Sequence, residues 1–431
     1  MSEIIAIDLG TTKLVAVAGV KNERGYFQIK ALCTTPSEGI KYGEVQNIGS
    51  VVEKLKIIIN NLKEITKIDK IENVYVGIAG QHVRYIENSF KKLRQDCDVE
   101  ISEAELKELE NNIRETYLEP GEVILEVVPK KYTIDDENDI HKPVGRLGRQ
   151  LIGHFHVLIG KASSRKHTEM CMDKLNLKAK AIILEPIASS RAVLNEEERQ
   201  IGVAVVDMGG GTTDLIVYIN NVMQHTAVIP FGCNVITSDI EQIFDLPRAR
   251  AESIKIAHGT CDPSKFKNQE EFTVVKIEGR PPITISSRLL AEVIRARVAE
   301  IIDMVLNEIK PYNEELKHGA GIVFTGGGAR MDGIKEFITI RSGMHVKIGI
   351  PNYIASDSQK DVTDSIYSTA IGLVMCGSDD LEEKIKTPFD ESDFVPVNEE
   401  KRNTETTRLS YGIRKLKNVV GEFFTIKEEE V

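Results

Sequence analysis

The chain has 431 residues, 41% hydrophobic and 28% charged, with 32 Gly, 14 Pro and no Trp, a composition that excludes a disordered, collagen-like or disulfide-scaffold protein taken as a whole. At roughly 100 to 200 residues per domain there is room for two to four lobes. The 66 Asp and Glu against 55 Lys and Arg give a formal charge of −11; no nucleic-acid partner is expected, and any contact with anionic lipid needs a local basic patch.

Six cysteines, Cys33, Cys97, Cys171, Cys233, Cys261 and Cys376, are scattered without a close pair. Neither a zinc pattern nor a redox CxxC is present, and they read as reduced thiols of a cytoplasmic protein. Met1-Ser2-Glu3 runs straight into a strand, and no run of 18 apolar residues occurs, so neither a signal peptide nor a spanning helix is expected.

In chain order, Ile4 to Asp8 is a short apolar run ending in Asp, followed by Gly10-Thr11-Thr12 and the apolar stretch Leu14 to Ala18. Ile48 to Ile65 has helical spacing and Val74 to Ala79 reads as a buried strand. From about Val83 to Ala162 the character changes: a charged helix capped by Ser102, β-like runs at Val123 to Val128 and Gln150 to Ile159, and a polar loop at Asp135 to Asp139 predict an inserted subdomain. Ser164 to Leu175 predicts a helix, Ala181 to Leu184 a strand, and Glu185-Pro186 opens another helix, with Pro in the first turn where its missing N–H costs nothing.

About 200 residues after the first motif, Val203 to Asp207, Gly209-Gly210-Gly211-Thr212-Thr213 and Leu215 to Tyr218 repeat it. Each copy predicts strand, tight glycine turn, strand, so duplicated α/β halves in two lobes are expected. Ile236 to Ala257 predicts helix with a break near Pro247, Phe272 to Ile277 and Ile283 to Ile285 strands, and Leu289 to Ile309 a long helix. Gly321 to Phe324 is a strand running into Thr325-Gly326-Gly327-Gly328, and Ser368 to Met375 a final helix. From Asp379 to Thr407 ten Asp/Glu, four Lys/Arg and few large apolar residues predict an acidic flexible linker.

A phosphate needs backbone N–H groups brought close to it, and glycines in tight turns permit that approach. One Gly-Thr-Thr after a strand is usually only a hairpin turn; two copies plus a third glycine run at Gly326 to Gly328, between a strand and a helix, point to a nucleotide. Asp8 and Asp207 at the strand ends would repel phosphate unless a cation lay between, which suits hydrated Mg²⁺. Lys13 supplies positive charge at the first turn, with Asp214 taken as its counterpart in the second. His154 and His156 share a strand face as metal ligands do, but without a third ligand they read as structural. No Walker A sequence or G-x-S-x-G elbow occurs.

Asp8-x-Gly10-Thr11-Thr12, Glu185-Pro186, Asp207-x-Gly209-Gly210-Gly211-Thr212-Thr213-Asp214, Ile322 to Gly328 and Ser368-Thr369-Ala370-Ile371-Gly372 resemble, in order, the first phosphate loop, first connecting helix, second phosphate loop, adenosine loop and second connecting helix of the actin, heat-shock chaperone and hexokinase superfamily. Within it the chain resembles the bacterial cell-division FtsA family over nearly its whole length. The insertion near Val83, Ile229-Pro230-Phe231-Gly232 to Ile240, Gly279-Arg280-Pro281-Pro282 and the C-terminus carry that resemblance; Cys233 departs from it, where a second glycine is usual.

The resemblance implies an actin-like fold with ribonuclease-H-like halves: first-lobe core (1A) at 1–82, completed by 163–196 and 356–378; an insert of the 1C type at 83–162; second-lobe core (2A) at 197–235, completed by 315–355; subdomain 2B at 236–314; a linker at 379–407; and a helix at 408–426. It implies ATP in the cleft, with Mg²⁺ held through water near Asp8 and Asp207, Glu252 and Lys255 of an Ala-Glu-x-x-Lys helix on the adenosine, Arg330 against the base, and Glu185 where a relative's catalytic or water-orienting group lies. A helix-capping role for Glu185 is the alternative, and hydrolysis is expected to be slow or absent.

At 100° per residue Leu409, Ile413, Leu416, Val420, Phe423 and Phe424 fall within an arc of roughly 100°, with Arg408, Arg414, Lys415 and Lys417 outside it. This basic amphipathic segment on an acidic protein predicts peripheral attachment to an anionic membrane, made firm when many copies are joined in a polymer. Docking of the helix on the body is the alternative. The resemblance further implies self-assembly into filaments, location on the cytoplasmic face of the membrane at the septum, recruitment of other division proteins through subdomain 1C, and FtsZ as partner, its C-terminal peptide meeting Arg288, Arg295 and Arg297 of 2B. The alternatives are a sugar kinase of the same superfamily, a type IV pilus assembly homologue, and a chaperone, disfavoured by the lack of a substrate-binding domain.

Overall fold

A computed structural model describes residues 3–80, 82–266, 270–276, 281–359 and 361–386, with side chains up to residue 382. The chain divides into a compact unit, Met1–Leu381, which holds both lobes and the insert, and a second unit, Glu382–Val431. Of the second unit only the end of a helix belongs to the described residues.

In the first lobe β1 (Ile4–Leu9), β2 (Lys13–Lys21) and β3 (Phe27–Pro36) form an antiparallel meander. A small turn of β4 (Ile40–Lys41) and β5 (Glu44–Val45) leads to α1 (Ile48–Thr66), where the Asn47 side chain accepts from the Ser50 N–H at 3.2 Å and caps the helix. β6 (Asn73–Ile78) pairs parallel with β1.

The insert follows: β7 (Arg84–Leu93), α2 (Glu103–Arg114), β8 (Glu122–Ile134), β9 (Glu137–Ile140) and β10 (Gln150–Lys161). Its strands form an antiparallel sheet in the order β7-β10-β8-β9 around a core of its own that includes Leu109, Ile113, Val127, Phe155 and Val157. Ser102 and Glu105 make the reciprocal cap of α2. The stretch expected to be a loop at Asp135 to Asp139 is a tight turn plus β9, because the chain doubles straight back on β8.

α3 (Ala162–Asp173), β11 (Lys178–Leu184) and α4 (Glu185–Val193) return to the first lobe, and α5 (Glu196–Ile201) leads to the second. There β12 (Val203–Met208), β13 (Thr213–Ile219) and β14 (Val222–Ile229) repeat the meander, followed by α6 (Cys233–Ile243) and α7 (Arg248–His258), separated at Pro247. The hairpin β15 (Glu271–Val274) and β16 (Ile283–Ser286), α8 (Ser287–Ile309) and α9 (Asn313–His318) come next, then β17 (Gly321–Thr325), α10 (Ile334–Ser342), β18 (Val346–Ile348) and α11 (Ser368–Lys386).

The two large sheets have one topology. Orders β3-β2-β1-β6-β11 and β14-β13-β12-β17-β18 each hold three antiparallel strands followed by two parallel ones, the duplication expected from the repeated motif. Both central strands are covered on two faces. Ile4 and Ala6 of β1 and Val203 and Val205 of β12 enter one shared core with Ala188 and Ala192 of α4 and Ala370 and Val374 of α11. Ile5, Ile7 and Leu9 pack toward α1, and Ala204, Val206 and Met208 into the outer core of the second lobe. Strand alternation therefore turns Asp8 and Asp207, each in phase with the first set, toward the space between the lobes.

α11 continues to Lys386, eight residues into the expected linker. Asp379 accepts from Arg191 Nε at 2.7 Å and Nη2 at 3.2 Å, and Asp380 accepts from the Tyr75 hydroxyl at 2.8 Å; the first acidic residues of that stretch are thus helix anchors. Leu409, Ile413, Leu416, Val420, Phe423 and Phe424, with the rest of the expected linker and membrane helix, and Gly279-Arg280, lie outside the described residues. Among the described residues no helix is long and apolar enough to cross a membrane.

Candidate functional site

The two glycine turns meet. A Cβ on Gly210 would strike the side chain of Thr12, and one on Gly211 would lie 2.5 Å from Thr11 Oγ1, so any side chain there would push the two tips apart. Thr11 Oγ1 also accepts from the Gly43 N–H at 3.0 Å, drawing the β4–β5 turn to the site. Behind the second turn, Cys233 and Asn234 at the start of α6 donate backbone N–H bonds to the carbonyls of Gly209 (2.9 Å) and Gly210 (2.8 Å). Gly232 leaves no room for a Cβ, which would lie 2.6 Å from the Gly209 carbonyl oxygen.

Beside these tips lies a cavity of about 400 Å³, a size suited to a small ligand. Asp8, Gly10, Thr11, Thr12, Lys13, Glu185, Asp207, Gly209, Gly210, Gly211, Thr212, Glu252, Lys255, Gly326, Gly327 and Arg330 all line it. Of the residues expected at the site, Thr213 and Gly328 do not. The Thr213 hydroxyl donates to the Phe231 carbonyl at 2.8 Å, and Gly328 packs where a Cβ would press on the Met208 side chain. Gly326, at φ +83°, could not carry a Cβ without meeting the Asp207 carboxylate and the Met208 carbonyl.

Besides Glu252, four carboxylates reach this one space. Asp8, Asp207 and Asp214 come from β1, β12 and β13, and Glu185 from the first turn of α4. Burial raises the affinity of all four for protons. Asp8 is pushed up to about 6, Lys13 opposing and Asp207 adding; Asp214 to about 8, with Asp207 and Asp8 adding; Glu185 rises well above the usual range with Asp8, Asp214 and Asp207 adding; and Asp207 rises against the opposing bonds of Thr369 and Ser189. Thr369 Oγ1 donates to Asp207 Oδ2 at 3.0 Å. Glu185 Oε1 and Asp214 Oδ1 are buried with no hydrogen-bond partner, and such atoms are expensive to leave unmatched. Glu185 stands in the first turn of α4, whose N-cap, Leu184, makes no side-chain cap bond.

Orphaned carboxylate oxygens with open backbone turns beside them fit a cation–polyphosphate pair. Among the described residues no three Asp, Glu, His or Cys side chains converge closely enough to grip a metal directly. At the other end of the cavity, Lys255 is nearly buried and donates to Glu252 (2.8 Å), the Thr237 hydroxyl (2.8 Å) and the Cys233 carbonyl (3.1 Å). Arg330 sits 3.7 Å from Asp364.

Asp214 and Thr369, quoted in the sequence motifs but not named as ligand residues, also line the cavity, as do Asn234, Ile256, Met331, Ser365 and Ile366, which were not singled out from sequence. Ile256 had a readable signal, an apolar residue off the face of α7 that buries Ala251 and Ile254; in the structure it is 75% exposed. The two turns are of equal length, with Leu9 opposite Leu14 and Met208 opposite Thr213. The counterpart of Lys13 is therefore Thr212, and that of Asp214 is Val15, which corrects the expected pairing of Lys13 with Asp214.

The other expected residues lie elsewhere. On α8, Arg288 bonds Glu292 at 3.0 Å, Arg295 stacks 5.6 Å from the Phe337 ring, and Arg297 holds Asp239 at 2.6 and 2.9 Å. At 100° per residue Arg297 falls roughly opposite Arg288 and Arg295, so the three do not form one face. His154 bonds Ser89 (2.9 Å) and Thr133 (3.1 Å), while His156 is fully buried. All six cysteines are free thiols.

Twin lobes of one topology, with a cleft walled by paired glycine turns and acidic strand ends, define a protein of the actin-like fold. Two solved structures share the fold. A PilM-PilN type IV pilus biogenesis complex aligns with a TM-score of 0.63 at 16% identity, covering 87% of this chain and 98% of that one. MreB5 of Spiroplasma citri bound to ADP aligns at 0.54 and 15%, covering 90% and 99%. The family model for cell division protein FtsA matches residues 204–372, and that for the SHS2 domain inserted in FtsA matches 80–159. The chain is 34% identical over 374 residues to cell division protein FtsA of Neisseria meningitidis serogroup B, covering 86% of this chain and 89% of that protein. It is 32% identical over 376 residues to that of Pseudomonas aeruginosa, covering 87% and 89%. The chain belongs to the FtsA family of cell-division proteins, actin-like in fold.

Proposed function

We propose that the cleft binds ATP with Mg²⁺ and that nucleotide occupancy sets the relation of the two lobes in a filament-forming protein that ties FtsZ to the cytoplasmic face of the membrane at the septum. The convergence of Asp8 and Asp207 on one cavity carries the reading. Bound there, Mg·ATP supplies the positive charge the four carboxylates lack and an anion for the backbone N–H groups of Gly10 to Lys13 and Gly210 to Thr212, the Gly209 N–H being taken by the Thr212 carbonyl. Asp8 and Asp207 orient the ion's waters, and Asp214 shares its field. Glu252, Lys255, Ile256, Gly326, Gly327 and Arg330 would hold the adenosine end. Glu185 would orient a water near the phosphates.

FtsZ is proposed to place its C-terminal peptide on subdomain 2B near Arg288 and Arg295, while Arg297 is occupied by Asp239 and Glu300. Recruitment of other division proteins falls to the insert, and membrane attachment to the segment 408–426. One set of measurements tests the scheme. Asp207→Ala should lose Mg·ATP binding in calorimetry while still pelleting with anionic vesicles, and deletion of 408–431 should keep ATP binding and stop pelleting. Retained pelleting after the deletion would overturn the anchor; unchanged ATP affinity in Asp207→Ala would overturn the site.

A further inference from the structure

Lys13 lines the cavity, yet its hydrogen bond goes to a backbone carbonyl rather than to a carboxylate. Its ammonium donates to the Ile366 carbonyl and lies 4.3 Å from the centroid of the Tyr367 ring, within the range of a cation–π contact. Burial weakens the hold of this ammonium on its proton, the negative fields of Asp8, Asp207 and Asp364 opposing and the positive field of Arg330 adding.

The platform that holds it is rigid. Ser365–Tyr367 is a single 3-10 turn ahead of α11, with the Asp364 side chain accepting from the Ile366 N–H at 3.1 Å. Ser365 Oγ donates to the Gly326 carbonyl at 3.0 Å, and the hydroxyls of Thr325 and Ser368 are 2.7 Å apart. Without this platform the lysine would drop toward Asp8. Opposite charges attract strongly in a poorly solvated cleft, and the resulting pair would cancel the cation the phosphates need and one carboxylate the metal needs.

We propose that Tyr367 is a positioning residue for Lys13: its ring, with the Ile366 carbonyl, keeps the ammonium off the carboxylates and at the phosphate end of the cavity. The inference rests on the reading of that cavity as an ATP site. Tyr367 touches the ligand only through Lys13, so its effect should depend on phosphate and vanish without the lysine.

The test is calorimetric titration of the full chain with Mg·ATP and, separately, with adenosine. Tyr367→Leu should weaken Mg·ATP roughly tenfold and leave adenosine unchanged. Tyr367→Phe, which keeps the ring face, should stay within about twofold of wild type. In a Lys13→Ala background Tyr367→Leu should add nothing. A Tyr367→Leu variant with wild-type ATP affinity, a loss shared equally by adenosine, or a loss that persists in Lys13→Ala would each overturn the proposal while leaving the ATP site standing. A wild-type protein that binds neither ligand would overturn the ATP reading and this inference with it.

Discussion

His156 illustrates how a residue that looks like chemistry in the sequence can be structure in the fold. It is fully buried, its ring edge-on to Tyr85 at 4.9 Å. Neither ring nitrogen makes a full hydrogen bond, although the Met223 backbone lies near. Burial pushes the imidazole down to about 4, Lys130 and His225 adding and Glu87 opposing. The unfolded chain therefore binds a proton that the folded protein refuses, so this residue costs stability as pH falls from about 6.5 toward about 4, by at most about 3 kcal/mol. The buried carboxylates act with the opposite sign. Asp8 and Asp214 hold protons that the unfolded chain releases, so without a cation they cost stability as pH rises from about 4 toward about 8. The two effects overlap, and a comparison separates them: His156→Phe should flatten the acid side of the unfolding profile relative to wild type and leave the alkaline side unchanged. An identical acid slope in chemical denaturation would refute the assignment.

Among the elements, α4 and α11 decide how closely the lobes approach. A Cβ on Gly372 would overlap the Ala188 carbonyl, so the two helices cross backbone to backbone, with Arg191 clamped on Asp379 beside the crossing. Gly372→Ala should force them apart and cost about 1–3 kcal/mol, seen as a fall in melting temperature of several degrees. An unchanged melting temperature would mean that the helices have room to spare. Glu185 at the head of α4 and Thr369 in the first turn of α11 both reach the carboxylate cluster, so movement at the crossing and events in the cavity share the same two helices.

For the whole molecule, the site is divided between lobes. Neither hairpin makes a cavity alone: Thr11 and Thr12 of one meet Gly211 and Gly210 of the other. Hydrogen exchange should therefore show Mg·ATP slowing the amides of residues 10–13 and 209–212 together, and chelation of the metal should release both. Protection of one turn alone would assign the ligand to a single lobe. Binding to the folded state alone should also raise stability by about 2.7 kcal/mol at a ligand concentration of 100 Kd.

The amino-acid sequence on its own determined the duplicated strand–turn–strand motifs, the insert and the acidic strand ends, because local periodicity and glycine placement are properties of short segments. It also placed Asp8 and Asp207 as partners, since each closes a buried strand before a glycine turn. It did not show that Asp214 joins them, that Lys13 answers to Thr212, or that Thr213 and Gly328 face away; those follow from strand register, which depends on pairing across the sheet. Nor did it show that Arg297 is taken by Asp239 or that Tyr367 meets Lys13, 354 residues apart in the chain. Contacts between distant segments exist only once the sheets, the connecting helices and the cleft have packed, and the tertiary structure alone decides them.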